Sequence, residues 1–379
     1  MKLSTSKRTI LTHARPPLFV GSEIYRRPAY GKNHPLAIAR VESAVDLARA
    51  LGWLNDDVCK SEAADHSTLQ RFHDSAYVAA LHNADEQGHV SEEARRRFNL
   101  GTLENPVFRG VFERAATAVG GSILAAKLAL EGRIAFHPAG GTHHAKANAA
   151  SGFCYFNDPV FALLTLLDAG LKRVLYVDLD AHHGDGVEDA FAAEPRVFTI
   201  SIHEAGRFPG TGTLGERREG RARNLPVPPG LNDSEFSFLI DEAVLPLAER
   251  FAPEAVVVTA GADPLAGDPL SKMALSNAAL WNGVLRVADV APAAVVLGGG
   301  GYNPWTLARF WAGLWGRIKG ETIPVALPPA ARAVLSPLSC DLIDDEDIDP
   351  MWLETLADPP NPGAVRAEIC ALRDDVLRA

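Results

Sequence analysis

Five short runs along the chain are apolar at nearly every position: residues 133–136, 174–177, 197–200, 255–258 and 294–297. A half-exposed strand would alternate apolar and polar residues. Nearly continuous β-branched runs of this length predict strands buried on both faces, as in a parallel sheet. Between and around them, residues 111–130, 234–250 and 276–290 carry apolar side chains at helical spacing. Strand then helix, repeated, predicts an α/β fold: a three-layer sandwich with a central, mostly parallel sheet. In such sheets chemistry collects on loops at the carboxyl ends of the strands. All five runs end in polar or Gly-rich residues there: His137 with 140–144, then 178–185, 203–212, 261–268 and 298–303.

Past Gly320 the pattern changes to a Pro-rich stretch, an acidic run at 341–349 and a last helical segment at 364–377. We read residues 1–319 as one catalytic domain. Residues 320–379 read as an extension whose short helix packs on or near it.

Composition narrows the classes. Of 379 residues, 47% are hydrophobic and 22% charged, as in folded globular proteins. The formal net charge of −10 argues against nucleic acid as a partner, because phosphate binding wants a basic surface. It suits a basic substrate instead. The four cysteines form no CxxC pair, so neither a disulfide framework nor a Cys-type metal site is indicated, and a reducing cytoplasm is expected. The polar, basic start from Met1 to Thr12 lacks the apolar core of a signal peptide. No apolar run approaches the ~18 residues of a membrane span. A homo-oligomer is compatible with all of this.

Asp180 and His182 follow the run at 174–177 and, two apart in an extended segment, point to the same side. Asp263, after the run at 255–258, is the best third partner. One His and two carboxylates with an open position suit catalytic zinc, and they also suit iron. The pair His143–His144 supplies proton-transfer groups, with Asp178 and Asp185 available on the next strand end to orient them. Gly298 to Gly301 precede Tyr302, which could donate to a carbonyl oxygen gaining charge. As a nucleotide loop this segment fails, since Asn303 stands where the third glycine belongs.

Six segments occur in order: Gly140–Ala145, Ser151–Asp158, Asp178–Gly186, Phe208–Gly212, Gly261–Asp263 and Gly298–Tyr302. Together they resemble the histone deacetylase family, including its bacterial acetoin-utilisation members, over roughly residues 15–319. The resemblance implies the arginase/deacetylase fold with about eight strands. It implies Asp180, His182 and Asp263 as zinc ligands, His143 paired with Asp178, His144 as general base paired with Asp185, and Tyr302 as the carbonyl-polarising group. Phe153 and Phe208 become walls of an acyl-lysine tunnel, with Gly152 at its side and Gly300 and Leu270 among the substrate-binding residues. Arg40 would line the internal cavity through which acetate leaves. Asp178, Asp180, His182, Ser201 and Ile202 match a structural potassium site. At Glu104 the family usually has an Asp that holds the substrate backbone, so this chain departs by one methylene.

The expected activity is hydrolysis of N-acyl-lysine in peptides or proteins. Relatives that act on acetylpolyamines carry a Glu where Leu270 follows Asp268-Pro269 here. A binuclear arginase-like centre would need carboxylates where Gly184 and Leu265 stand. A non-catalytic acyl-lysine binding protein would be expected to have lost some of the positions that are all filled here.

Overall fold

The computed structural model describes residues 13–55 and 58–378. The segment Met1 to Thr12 lies outside the described residues. Eight strands form one sheet: β1 Leu18–Gly21, β2 Cys59–Lys60, β3 Ile134–His137, β4 Val174–Asp178, β5 Val197–Glu204, β6 Ala222–Val227, β7 Ala255–Thr259 and β8 Ala293–Leu297. Their order is β2-β1-β3-β8-β7-β4-β5-β6, and every pairing is parallel.

The continuous apolar pattern has a direct cause. In β3, β4, β7 and β8 alternate residues enter opposite layers. Phe136, Leu175, Val177, Val256, Val258 and Val296 join one buried cluster. Ala135, Val174, Tyr176, Val257, Val295 and Leu297 join the other. Helices cover both faces, so no strand face needs polar residues. The predicted helices appear at Val111–Ala129 and Asn277–Ala288. The third is helical from Asp233 to Phe251 but interrupted by a π-turn at Ile240–Val244, just before Pro246, whose missing N–H breaks the regular ladder.

Residues 320–378 run against the larger cluster. Leu327, Ala331, Leu335, Leu356, Ile369 and Val376 are fully enclosed in it. Buried Arg309 pairs with Asp358 at 2.7 Å, and Arg366 grips buried Glu235 at 2.6 Å. The last helix, Ala367–Leu377, buries Ile369, Leu372 and Val376.

Candidate active site

Register brings the polar strand ends together. Asp178 at the end of β4 lies beside Ser201 of β5 and Thr259 of β7. The loops that continue from β4, β7 and β8 therefore converge on one point. Asp180, His182 and Asp263 meet there, all buried, with one ligand atom from each within 4.8 Å of the others. His182 Nδ1 lies 3.1 Å from Asp180 Oδ1 and 2.8 Å from Asp263 Oδ2. The backbone N–H of Gly300 donates to Asp180 Oδ2 at 2.6 Å, and that of Ala181 to Asp263 Oδ1 at 3.0 Å, which orients both carboxylates. At Gly300 a Cβ would collide with Asp263, which is why glycine closes this side.

Two carboxylates buried this close need a cation. Burial, then the charge of Asp180, lifts Asp263 to about 6. Burial opposes a proton on His182, but Asp180 and Asp263 outweigh it and raise its pKa well above the ordinary value. A divalent ion held by one nitrogen and two carboxylates meets that need, so the donor set fits a metal.

Two His–Asp pairs stand next to this cluster. His143 Nδ1 is 2.7 Å from Asp178 Oδ2, and His144 Nδ1 is 2.8 Å from Asp185 Oδ1. The facing Nε2 atoms are 3.0 Å apart. Burial works against a charge on His143, but Asp178 and Asp180 overcome it and raise its pKa to about 9. Burial and the neighbouring His143 lower His144 to about 3. Adjacent in sequence, the two imidazoles are pushed in opposite directions.

Tyr302 is buried, its ring edge-on to Phe153 at 5.9 Å and to His182 at 6.3 Å. Phe208 is 45% exposed at the rim and sits edge-on to His144 at 5.0 Å. Phe153 has φ 66°, a left-handed conformation rare outside glycine, directly after Gly152 at φ 54°. The resulting sharp turn swings the Phe153 ring toward Tyr302. Glu104 braces it: Oε1 accepts the Gly152 N–H at 2.5 Å and Oε2 accepts Asn99 Nδ2 at 3.0 Å. Its carboxylate is thus engaged by the Gly152–Phe153 turn and Asn99. Arg40 donates to Gly299 O at 2.6 Å and Gly301 O at 3.2 Å. Leu270 is half-buried, and its N–H donates to Asp268 Oδ1 at 2.9 Å.

Sequence reasoning missed several supports. Lys146 Nζ pairs with Asp185 at 2.5 Å and with Asp189 at 2.9 Å, neutralising the outer dyad. Asp268, pushed well above the usual carboxyl range by burial and then by Asp263, accepts the Tyr302 N–H at 2.7 Å. Tyr176 donates to Asp178 at 2.7 Å. Lys146 lies two residues past the His pair and Asp268 opens the Asp-Pro, but nothing in their spacing marks them as supports.

A hydrolase site on an all-parallel α/β sheet, with a three-residue metal cluster and paired His–Asp dyads, is what this geometry defines. A histone deacetylase domain matches residues 34–318, and the chain belongs to the histone deacetylase family. It is 37% identical over 279 residues to histone deacetylase 8 of Xenopus laevis, covering 72% of this chain and 85% of the relative. To the acetoin utilization protein of Bacillus subtilis it is 33% identical over 332 residues, 83% of this chain and 85% of that one. The solved histone deacetylase homolog of Aquifex aeolicus superposes with a TM-score of 0.91 at 37% identity, over 96% of this chain and all of the other. A histone deacetylase homolog complexed with SAHA superposes with a TM-score of 0.92. The chain is a deacetylase of this metal-dependent family, with the arginase/deacetylase fold expected from the motifs. Among the described residues, no helix is long and apolar enough to cross a membrane.

Proposed function

We propose that the chain hydrolyses the amide of N-acetyl-lysine, or a similar N-acyl-lysine, in peptides or proteins, with zinc at Asp180, His182 and Asp263. The observation that carries this is the placement of two oppositely tuned His–Asp dyads and Tyr302 around the metal cluster, at the base of a passage walled by Phe153 and Phe208. A bound zinc ion supplies Lewis acidity toward the water and the acyl carbonyl. Neutral His144, its Nδ1–H held by Asp185 so that Nε2 carries the free lone pair, takes the proton of the attacking water. Tyr302 donates to the acyl oxygen as it gains charge. His143, charged against Asp178, holds positive potential beside that oxygen. His144 then returns its proton to the leaving amine.

Phe153 and Phe208 favour a neutral acyl-lysine side chain over a cationic polyamine, and Leu270 offers a second ammonium no partner. With Glu104 engaged by Gly152 and Asn99, the carboxylate best placed to serve a polyamine is already occupied. Asp178, Asp180, His182, Ser201 and Ile202 form the potassium site in this reading, and the free cysteines suit a reducing cytoplasm. We take residues 1–319 as the catalytic domain and 320–379 as a packed extension of it.

The test is hydrolysis of an acetyl-lysine peptide and of acetylputrescine by purified protein, with chelator and with zinc restored. Turnover of the peptide that is lost to chelator, regained with zinc, and higher in kcat/KM than that of the polyamine is expected. A higher kcat/KM for acetylputrescine overturns the substrate assignment. Chelator-insensitive turnover overturns the metal.

A further inference from the structure

The cavity that reaches Tyr302 and His143 also reaches Tyr25 and Arg114, in a volume of about 120 Å³, room for several small-molecule atoms. Two guanidinium groups line it, Arg40 and Arg114. Among the described residues, neither forms an ion pair. Arg40 bonds the carbonyls of Gly299 and Gly301, and Arg114 those of Ile24 at 3.2 Å and Arg27 at 3.5 Å. Both sit at helix starts, Arg40 as the cap of Val41–Ala50 and Arg114 in the opening turn of Val111–Ala129. The helix dipole disfavours a cation at that end, so each placement adds positive potential that no ion pair among the described residues neutralises.

One more polar atom is left over. The hydroxyl of Tyr25, 5% exposed, is buried without a hydrogen-bond partner, and its ring lies under Arg114 at 5.0 Å. The buried carboxylate nearby, Asp158, is already committed. It accepts from Ser122 Oγ at 2.5 Å and from the N–H groups of Gly141 at 3.0 Å and Thr142 at 2.8 Å. An unsatisfied buried hydroxyl beside an unpaired guanidinium calls for a ligand that accepts hydrogen bonds and carries negative charge. Phe108 and Arg114 also line the adjoining surface cleft of about 980 Å³, so this wall divides the cavity from the outside.

We propose that Tyr25 and Arg114 form a binding site for a small carboxylate inside the cavity, a station additional to Arg40. The carboxylate has two sources. One is the free acid released by hydrolysis, on its way out past Arg114. The other is the distal carboxylate of a dicarboxylic acyl group, such as glutaryl, still attached to lysine. Both sources rest on the deacylase reading given above, whereas the binding site itself does not.

The experiment uses metal-loaded enzyme, wild type, Arg114→Gln and Tyr25→Phe. Binding of acetate and of glutarate is measured by titration calorimetry, and kcat/KM is measured for acetyl-lysine and glutaryl-lysine peptides. Loss of a charge-assisted bond predicts carboxylate binding weakened at least about tenfold in Arg114→Gln and severalfold in Tyr25→Phe. If the acyl tail is the ligand, the glutaryl-to-acetyl ratio of kcat/KM falls by a similar factor. If the free acid is the ligand, that ratio holds while product inhibition by acetate weakens. Unaltered carboxylate affinity together with an unaltered ratio in both variants overturns the proposal. Tyr25→Phe removes one oxygen and keeps the ring, so it answers even where Arg114→Gln folds poorly. A wild type that hydrolyses neither peptide would overturn the deacylase reading, while calorimetry would still decide the site.

Discussion

The carboxyl end of the sheet and the segment 320–378 both bury side chains, yet they are built on opposite principles. At the sheet end, polar groups are packed where water is absent: Asp178, Asp180 and Asp263 have no exposed surface at all. Each needs a partner, and the partners are supplied by strand register and by backbone N–H groups such as those of Gly300 and Ala181. In 320–379 the burial is mostly apolar, with Leu327, Leu335, Leu356 and Ile369 spread along an irregular path. The first region spends stability to gain chemistry, and the second returns stability without touching the chemistry. Substitutions in the two regions should therefore separate activity from folding.

The largest effect is expected at the metal cluster. Asp180→Ala or His182→Ala removes one of three protein donors, and most bound metal should go with it. Turnover should fall to background, while the thermal melt of the metal-free variant stays close to that of metal-free wild type. Metal analysis after dialysis checks this. Near-normal metal content and turnover in either variant would remove that residue from the ligand set. Next comes Tyr302→Phe, which on the proposed mechanism deletes one donor to the developing oxyanion. A loss of about 100- to 1000-fold in kcat is expected, with metal content preserved. Unchanged kcat would make Tyr302 a packing residue against Phe153.

A smaller effect is expected at Lys146→Gln. Lys146 neutralises Asp185, which orients His144. We expect about a tenfold loss in kcat/KM, a fraction of the ~100- to 10,000-fold that a general base contributes. The pH profile carries a signed test. His144 works as a base only when neutral, so activity falls as pH drops through its pKa. Removing the Lys146 charge leaves Asp185 less offset and raises the His144 pKa. The acid limb should therefore move to higher pH, and an unmoved limb would detach Lys146 from the dyad.

The contrast also explains what could be read from the chain. The five central strands were legible because burial on both faces leaves them nearly continuous in apolar residues until their carboxyl ends. The metal cluster was legible because buried Asp and His at strand ends have few other reasons to occur together. Strands β1, β2 and β6 were not. Cys59–Lys60 is two residues long, and Ala222–Val227 contains Arg223, Asn224 and Pro226, which hide its pairing with β5. Glu104 shows a subtler limit. The motif placed it at the tunnel, but only coordinates reveal that its carboxylate holds Gly152 and Asn99. The apolar residues of 320–379 fall between prolines and acids, so no period betrays which of them are buried.

The smallest effect on chemistry, and a large one on stability, is expected at Leu356→Ala. Leu356 has no exposed surface and joins the main core cluster. It lies between Thr355, whose carbonyl accepts Arg309 Nε at 2.7 Å, and Asp358, which pairs with the same guanidinium. Its own carbonyl accepts Asn277 Nδ2 at 2.7 Å. These bonds hold the backbone in place, so the neighbours cannot close over the space left by the side chain. A truncation of this kind costs about 2–5 kcal/mol, toward the upper end where collapse is prevented. Denaturant unfolding should show a lower midpoint with an unchanged slope, since the folded and unfolded surfaces stay the same. The kcat of the remaining folded enzyme should stay within about twofold of wild type, because no residue of the metal cluster or the dyads touches Leu356 through these bonds. A fall in kcat matching the loss of stability would mean that the extension positions the site, and the separation between the two regions would not hold.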